Sequence, residues 1–230
     1  TPANGAVITS GDTNTQQGIW TSGEGKIYVT PDVAVITLGV ESQESSVATA
    51  REEAAKAMAD VIAAVEALGV EDKDIQTQYF NIYQTTRWNG DKEEVTGYRV
   101  TNTVVVKVRQ IEKAGDVIDS AAVAGGDLTR VNGINFTVDE PQAYYEKARD
   151  KAFDYAKAKA QQLADKAGVK LGDVIYMTES SGNNVYSIAY RNYAMAEDAM
   201  PVPAAITPTD ISIGQLEISA TVSLGYNINR

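Results

Sequence analysis

Gln215-Leu216-Glu217-Ile218-Ser219-Ala220-Thr221-Val222-Ser223-Leu224-Gly225-Tyr226-Asn227-Ile228-Asn229 alternates apolar and polar side chains, with only Gly225 out of step. Successive strand residues point to opposite faces. Leu216, Ile218, Ala220, Val222, Leu224, Tyr226 and Ile228 therefore share one face, and Glu217, Ser219, Thr221, Ser223, Asn227 and Asn229 share the other. This spacing predicts a long strand over 211–229. The same period recurs at 96–109, where Val100, Val104, Val106 and Val108 face away from Arg99, Thr101, Thr103, Lys107 and Arg109. One side of that strand is wet, as in an antiparallel sheet with a single covered face.

Moving outward, residues 74–87 supply a hairpin partner for 96–109, and Trp88-Asn89-Gly90-Asp91 carries the Asn-Gly turn signal between them. Residues 19–42 read as extended. Ala34, Ile36, Leu38 and Val40 alternate with Val33, Val35, Thr37 and Gly39, so both faces are apolar and the strand is central. Helical spacing takes over at 46–68, where Ala54, Ala55, Met58, Val61, Ile62, Val65 and Leu68 form one stripe. Ser45 or Ser46 can cap that helix and Gly69 can end it. A shorter helix is predicted at 111–124, ended by Gly125-Gly126, and a strand at 130–138.

Pro141 opens the longest helix, over 142–167, as suits a residue with no N–H to leave unpaired. Its stripe is Tyr145, Ala148, Ala152, Ala156, Ala160, Leu163 and Ala167, mostly small side chains that permit a close approach. A strand follows at 173–179. Residues 180–208 show no period and read as a long loop.

The order of elements suggests a duplication. Strand, long helix and two strands occur at 33–109 and again at 130–229, with Val65-Glu66-Ala67-Leu68-Gly69-Val70 matched by Ala164-Asp165-Lys166-Ala167-Gly168-Val169. A helix of about 25 residues and a strand of about 12 are each roughly 40 Å long. The predicted fold class is α+β: two β-α-β-β repeats of long hairpins covered by long helices and joined by a short one. The domain is expected over 19–230, behind a flexible tail at 1–18 rich in Thr, Gly, Asn, Gln and Ala. That tail reads as the start of a mature secreted chain whose signal has been removed.

Composition narrows the chemistry. Lysine plus arginine is 20 and aspartate plus glutamate 31, a net charge of −11, with no basic stripe. Nucleic acid and anionic lipid both demand clustered positive charge, so neither is an expected partner. Cysteine and histidine are absent, which removes disulfides, thiolate metal sites and every triad built on those side chains. No apolar run is long enough to span a bilayer.

The motifs that invite a functional reading are weak. Gly23-x-Gly25 has Tyr28 where a dinucleotide fingerprint needs its third glycine. It has Trp20 and Ile27 where a P-loop needs glycine and a hydroxyl residue. A turn or bulge beside a strand is expected there. In Thr30-Pro31-Asp32, proline suits an edge or kink and Asp32 can bond neighbouring backbone N–H groups. Glu71-Asp72-Lys73-Asp74 could hold a hard cation but lacks a turn glycine, and a solvated loop is expected; Asp12-Thr13-Asn14 is weaker still. The pairs Asp139-Glu140 and Glu197-Asp198 are adjacent and point to opposite faces, so no glycosidase-like cleft is implied. No cofactor, metal site or catalytic residue is expected.

Tyr186, Tyr190, Arg191, Tyr193, Met195 and Met200 stand out within 180–208. Tyrosine, methionine and arginine are enriched at protein interfaces. These six residues are the candidate interface, for a second copy or another partner. The same segment could instead fold back over its own sheet, and its methionines could take up oxygen as repairable sulfoxides.

Gly23-Glu24-Gly25-Lys26-Ile27-Tyr28-Val29, Thr30-Pro31-Asp32-Val33-Ala34-Val35-Ile36, Gly97-Tyr98-Arg99-Val100-Thr101-Asn102, Gly133-Ile134-Asn135-Phe136 and Ala167-Gly168-Val169-Lys170-Leu171-Gly172 occur in order. In this they resemble the SIMPL-domain (DUF541) family over about 19–229. The resemblance implies a bacterial protein exported to the periplasm, surface or medium, with no established enzymatic activity. Some members of that family assemble into ring-like or channel-like homo-oligomers, and some are linked to oxidative-stress tolerance. The segment 180–208 is longer than the family pattern needs.

The function expected is therefore a non-enzymatic envelope or extracellular protein that self-associates. A monomeric binding module for a polysaccharide or amphipathic ligand, stacking on Trp88 and the loop tyrosines, is the alternative. A carboxylate hydrolase ranks behind both.

Overall fold

The computed structural model describes residues 18–180, the backbone of 185–188, and residues 209–229. The fold is α+β. The chain divides into two compact units, each drawn from separated stretches: one from Tyr28–Pro141 with Val185–Glu217, the other from residues up to Ile27, Gln142–Asn184 and Ile218 onward.

In the larger unit, β2 (Val33–Glu44) lies between β4 (Lys92–Val108) and β5 (Thr129–Thr137), and β3 (Ile75–Asn89) completes the order β3-β4-β2-β5. Every pairing is antiparallel. β2 is central, as its two apolar faces require. β5, at the head of the second half of the expected repeat, pairs with β2 in this sheet.

Two helices, α1 (Val47–Ala67) and α2 (Ala114–Gly125), meet one face of the sheet. Ile36, Leu38, Val40, Val100, Val104 and Val106 form a core there with Ala54, Met58, Val61, Val65 and Val117. The start of α1 is capped by Ser46, whose hydroxyl accepts the Thr49 N–H at 3.2 Å. Ser46→Ala should lower stability by about 1 kcal/mol, read as a shift of the urea midpoint with unchanged slope.

The β3–β4 hairpin is longer than its sequence signals. Its strands run to Asn89 and from Lys92, leaving a two-residue turn at Gly90-Asp91 with Gly90 at φ +65°. The Asn-Gly pair is thus shifted by one, with glycine first in the turn, the II′ pattern. β4 pairs with β2 only from Tyr98 onward, so the tip of the hairpin is a two-stranded arm.

The smaller unit holds β1 (Ile19–Val29, as far as Ile27), α3 (Gln142–Ala167), β6 (Lys170–Ser180) and the greater part of β8 (Gln215–Asn229), with strand order β1-β8-β6. The alternation of β8 holds: its even-numbered residues from Leu216 to Tyr226 are buried. The stripe of α3 differs from expectation. Ala148, Ala152, Ala156, Ala160 and Ala164 are buried in strict four-residue steps, while Leu163 is exposed. A methyl-only stripe lets the helix backbone touch the sheet, and a leucine there would hold it off.

That contact also explains Gly23-x-Gly25, which sits inside β1 and not at a turn or bulge. A Cβ on Gly25 would lie 2.0 Å from the Ala148 carbonyl oxygen, and one on Gly23 would lie 2.1 Å from that of Ala152. Thr21, on the same face of β1, donates its hydroxyl to the Ala156 carbonyl at 2.9 Å. Residues 180–208 also depart from the expected loop at two points: Ser180 ends β6, and Val185–Ile188 form a short strand, β7.

Candidate functional site

Charged side chains converge at one end of the larger unit. Asp74 ends a single helical turn (Asp72–Asp74) after α1, and Arg109 follows β4 directly. Arg109 grips the Asp74 carboxylate with both prongs, Nε to Oδ2 at 2.7 Å and Nη2 to Oδ1 at 2.9 Å. Its Nη1 also donates to Asp139, as does the Lys107 ammonium. The Asp139 N–H donates to Asp32 Oδ1 at 2.9 Å, and the Asp32 N–H to the Thr137 carbonyl at 3.2 Å. Beside this clasp lies a cleft of about 110 Å³, lined in part by Glu71, Asp74, Lys107, Arg109 and Lys113. Lys113 donates to the Leu68 carbonyl at the end of α1, at 3.1 Å.

The clasp is built to hold segments together. Hydrogen bonding from Arg109 keeps the Asp74 carboxyl below the usual carboxylate range, and hydrogen bonding first from Lys107 and then from Arg109 does the same for Asp139. A general acid needs the opposite shift, toward neutral pH. Among the described residues, no group of three or more acidic side chains is placed to hold a metal ion. Asp32 bonds a backbone N–H as expected, but that of Asp139, far away in the sequence. Asp74 is buried in the clasp where a solvated loop was expected, while Glu71 pairs with Lys73 at the surface.

The second notable surface is the outer edge of β3. Among the described residues, β3 pairs only with β4. Phe80 and Ile82 oppose Asn102 and Val100, which places them on the helix-covered face. Tyr79 and Tyr83 oppose Thr103 and Arg99 on the other face, and the Arg99 guanidinium lies 5.7 Å from the centre of the Tyr83 ring. Phe80 is 53% exposed and Tyr79 51% exposed, so large apolar groups meet solvent on both faces of one strand. From Ile75 to Thr86 the strand carries no charge and no proline, the devices by which edges are ordinarily protected. A groove beside it is lined by Ala48, Arg51, Glu52 and Ala55 of α1 together with Phe80. In the smaller unit, the edge strand β6 likewise exposes Val174, Ile175, Tyr176 and Met177, and Tyr176 lies 5.2 Å from Trp20, ring centre to ring centre.

Of the expected interface residues, Tyr190, Arg191, Tyr193, Met195 and Met200 lie outside the described residues, and Tyr186 lies in β7, where only the backbone is described. Glu197, Asp198 and Asp12-Thr13-Asn14 also lie outside them. The surface on β3 was readable in sequence only as a strand. Its position at an edge is a property of the assembled sheet.

A family model described as SIMPL, protein of unknown function (DUF541), matches residues 19–226. The 26 kDa periplasmic immunogenic protein of Brucella melitensis is 36% identical over 169 residues, which span 70% of this chain and 65% of that protein. The uncharacterized protein YggE of Escherichia coli is 32% identical over 186 residues, spanning 81% of this chain and 74% of that one. A YggE of Edwardsiella ictaluri is 29% identical over 190 residues, spanning 81% of this chain and 78% of that one.

Proposed function

The chain belongs to the SIMPL family of proteins of unknown function (DUF541), and on that footing we propose that it is a non-enzymatic bacterial protein, acting outside the cytoplasm, that self-assembles through unpaired sheet edges. The observation that carries the proposal is the uncharged β3 edge with Tyr79, Phe80, Ile82 and Tyr83 exposed. An unprotected edge is a template for another strand, and a strand apolar on both faces matches the interior of a sheet. Export is supported by the relative named as periplasmic and is in keeping with a cysteine-free chain. No described helix is long and apolar enough to cross a membrane.

Tyr186, Tyr190, Arg191, Tyr193, Met195 and Met200 are assigned to the same association by residue type. Light scattering after gel filtration tests both parts. At tens of micromolar the native mass should exceed the 24.6 kDa of one chain, and removal of 182–206 should lower it. A strict monomer removes the assembly claim, and an unchanged mass after the deletion clears that segment of the role. The stress-tolerance role suggested by the family belongs to the same proposal; unaltered survival of a deletion strain under oxidant would end it.

One observation favours a second reading. Trp88, at the tip of the hairpin arm, is 69% exposed, and such a ring can stack on a sugar. Titration of tryptophan emission with envelope glycans should shift the spectrum if the protein is a glycan-binding module.

A further inference from the structure

The exposed edge of β3 reads nearly the same from either end. In Thr77-Gln78-Tyr79-Phe80-Asn81-Ile82-Tyr83-Gln84-Thr85, threonine, glutamine, tyrosine and one large apolar residue are mirrored about Asn81. We propose that this edge pairs antiparallel with β3 of a second copy about a two-fold axis at Asn81, an inference that rests on the self-assembly reading above.

A two-fold contact sets one patch against itself, so residue i meets j and j meets i. With the axis at Asn81, Phe80 meets the partner's Ile82 and Tyr79 meets the partner's Tyr83. Opposed residues in an antiparallel pair lie on the same face of the sheet, and these do. Phe80 and Ile82 both lie on the helix-covered face, and Tyr79 and Tyr83 both lie on the other. Aromatic and apolar cross-strand pairs of this kind stabilise a sheet.

Hydrogen bonding agrees. Along an antiparallel strand, alternate residues turn both N–H and C=O outward. A register centred on one residue brings outward groups of the two copies together, and a register centred between residues does not. The β3–β4 ladder is regular from Tyr79 to Thr85, with irregularities at Thr77–Tyr79 and Thr85–Thr86, so the mirrored pairs that share a face are Phe80 with Ile82 and Tyr79 with Tyr83. The β3-β4-β2-β5 sheet of each copy then joins its counterpart into one continuous sheet. Phe80 and Ile82 of both copies line its centre, beside the groove at Ala48 and Ala55. A foreign strand asks no symmetry of the edge it joins; a second copy does.

The register is tested by charge exchange. F80K/I82K places ammonium groups against one another across the axis and should lower the native mass at least two-fold, with the circular dichroism unchanged because both side chains are exposed. F80K/I82E places opposite charges across the same pair and should restore the mass. Asn81→Cys gives a chain otherwise free of cysteine a single thiol on the axis. Opposed Cα atoms about 5 Å apart lie within disulfide reach, so mild oxidation should yield a covalent dimer. If the wild type assembles, yet F80K/I82K leaves its mass unmoved and Asn81→Cys forms no dimer, the β3 pairing is wrong and self-assembly survives. A monomeric wild type overturns both.

Discussion

Gly25→Val should destabilise the smaller unit by about 3 kcal/mol, the upper end of what overpacking ordinarily causes. The reason is geometric. The added Cβ would stand 2.0 Å from the Ala148 carbonyl oxygen and 2.6 Å from the Ala152 N–H nitrogen. Both are backbone atoms of α3, which cannot swing aside as a flexible side chain could. The whole helix must lift, and lifting it opens the contact between Ala152, Ala156 and Ala160 and the Val222–Leu224–Tyr226 face of β8. Glu24→Ala, one residue away on the exposed face, should stay within about 0.5 kcal/mol. Urea denaturation followed by circular dichroism separates the two, and equal midpoints would show that the helix does not sit on the β1 backbone.

Asp74→Asn should remove about 2 kcal/mol, because hydrogen bonds to ionised groups contribute more than neutral ones and this carboxylate is buried. It should also change the response to acid. Arg109 lowers the folded-state pKa of Asp74, and Lys107 lowers that of Asp139. A carboxylate with a depressed folded-state pKa stabilises the fold at pH values above its unfolded pKa of about 3.9. That contribution is lost as the pH falls through the folded value. The wild type should therefore lose stability below about pH 5, and Asp74→Asn should lose less over the same interval. Melting temperatures from neutral pH down to about pH 2.5 decide the matter, with parallel curves ruling out Asp74 as a source of acid sensitivity.

These two features show where sequence reasoning reached and where it stopped. The strands and helices were legible because period and caps are local. The valines of β4, the Ser46 cap and the Pro141 start of α3 were each read from their own neighbourhood. The alanines of α3 and the glycines of β1 were both visible, but their mutual fit was not, since more than a hundred residues separate Gly25 from Ala148. The clasp was hidden for the same reason. Nothing in the spacing of Asp32, Asp74, Arg109 and Asp139 says that four chain segments end together. Leu163 fits a helical apolar period, yet the buried stripe advances in four-residue steps from Ala160 to Ala164 and leaves it exposed.

The candidate surface followed a different course. Interface residues were expected at 180–208 on composition alone, whereas the described surface proposed for the association is β3. Its palindrome lies within a single stretch of sequence, Thr77–Thr85. It acquired meaning only once β4 was seen to pair with β3 on one side and no described strand on the other. The absence of histidine and cysteine leaves no triad built on those side chains, and the lowered carboxylate pKa values of Asp74 and Asp139 are the reverse of what a general acid needs.

Amide hydrogen exchange along β3, measured over a range of protein concentrations, tests the central claim most directly. If this edge is mated to another strand in the native protein, the outward-facing amides between Tyr79 and Gln84 exchange slowly at high concentration and speed up on dilution as the copies separate. Exchange at loop-like rates at every concentration would mean the edge stands bare, and the account of this protein as a self-pairing building block would be contradicted.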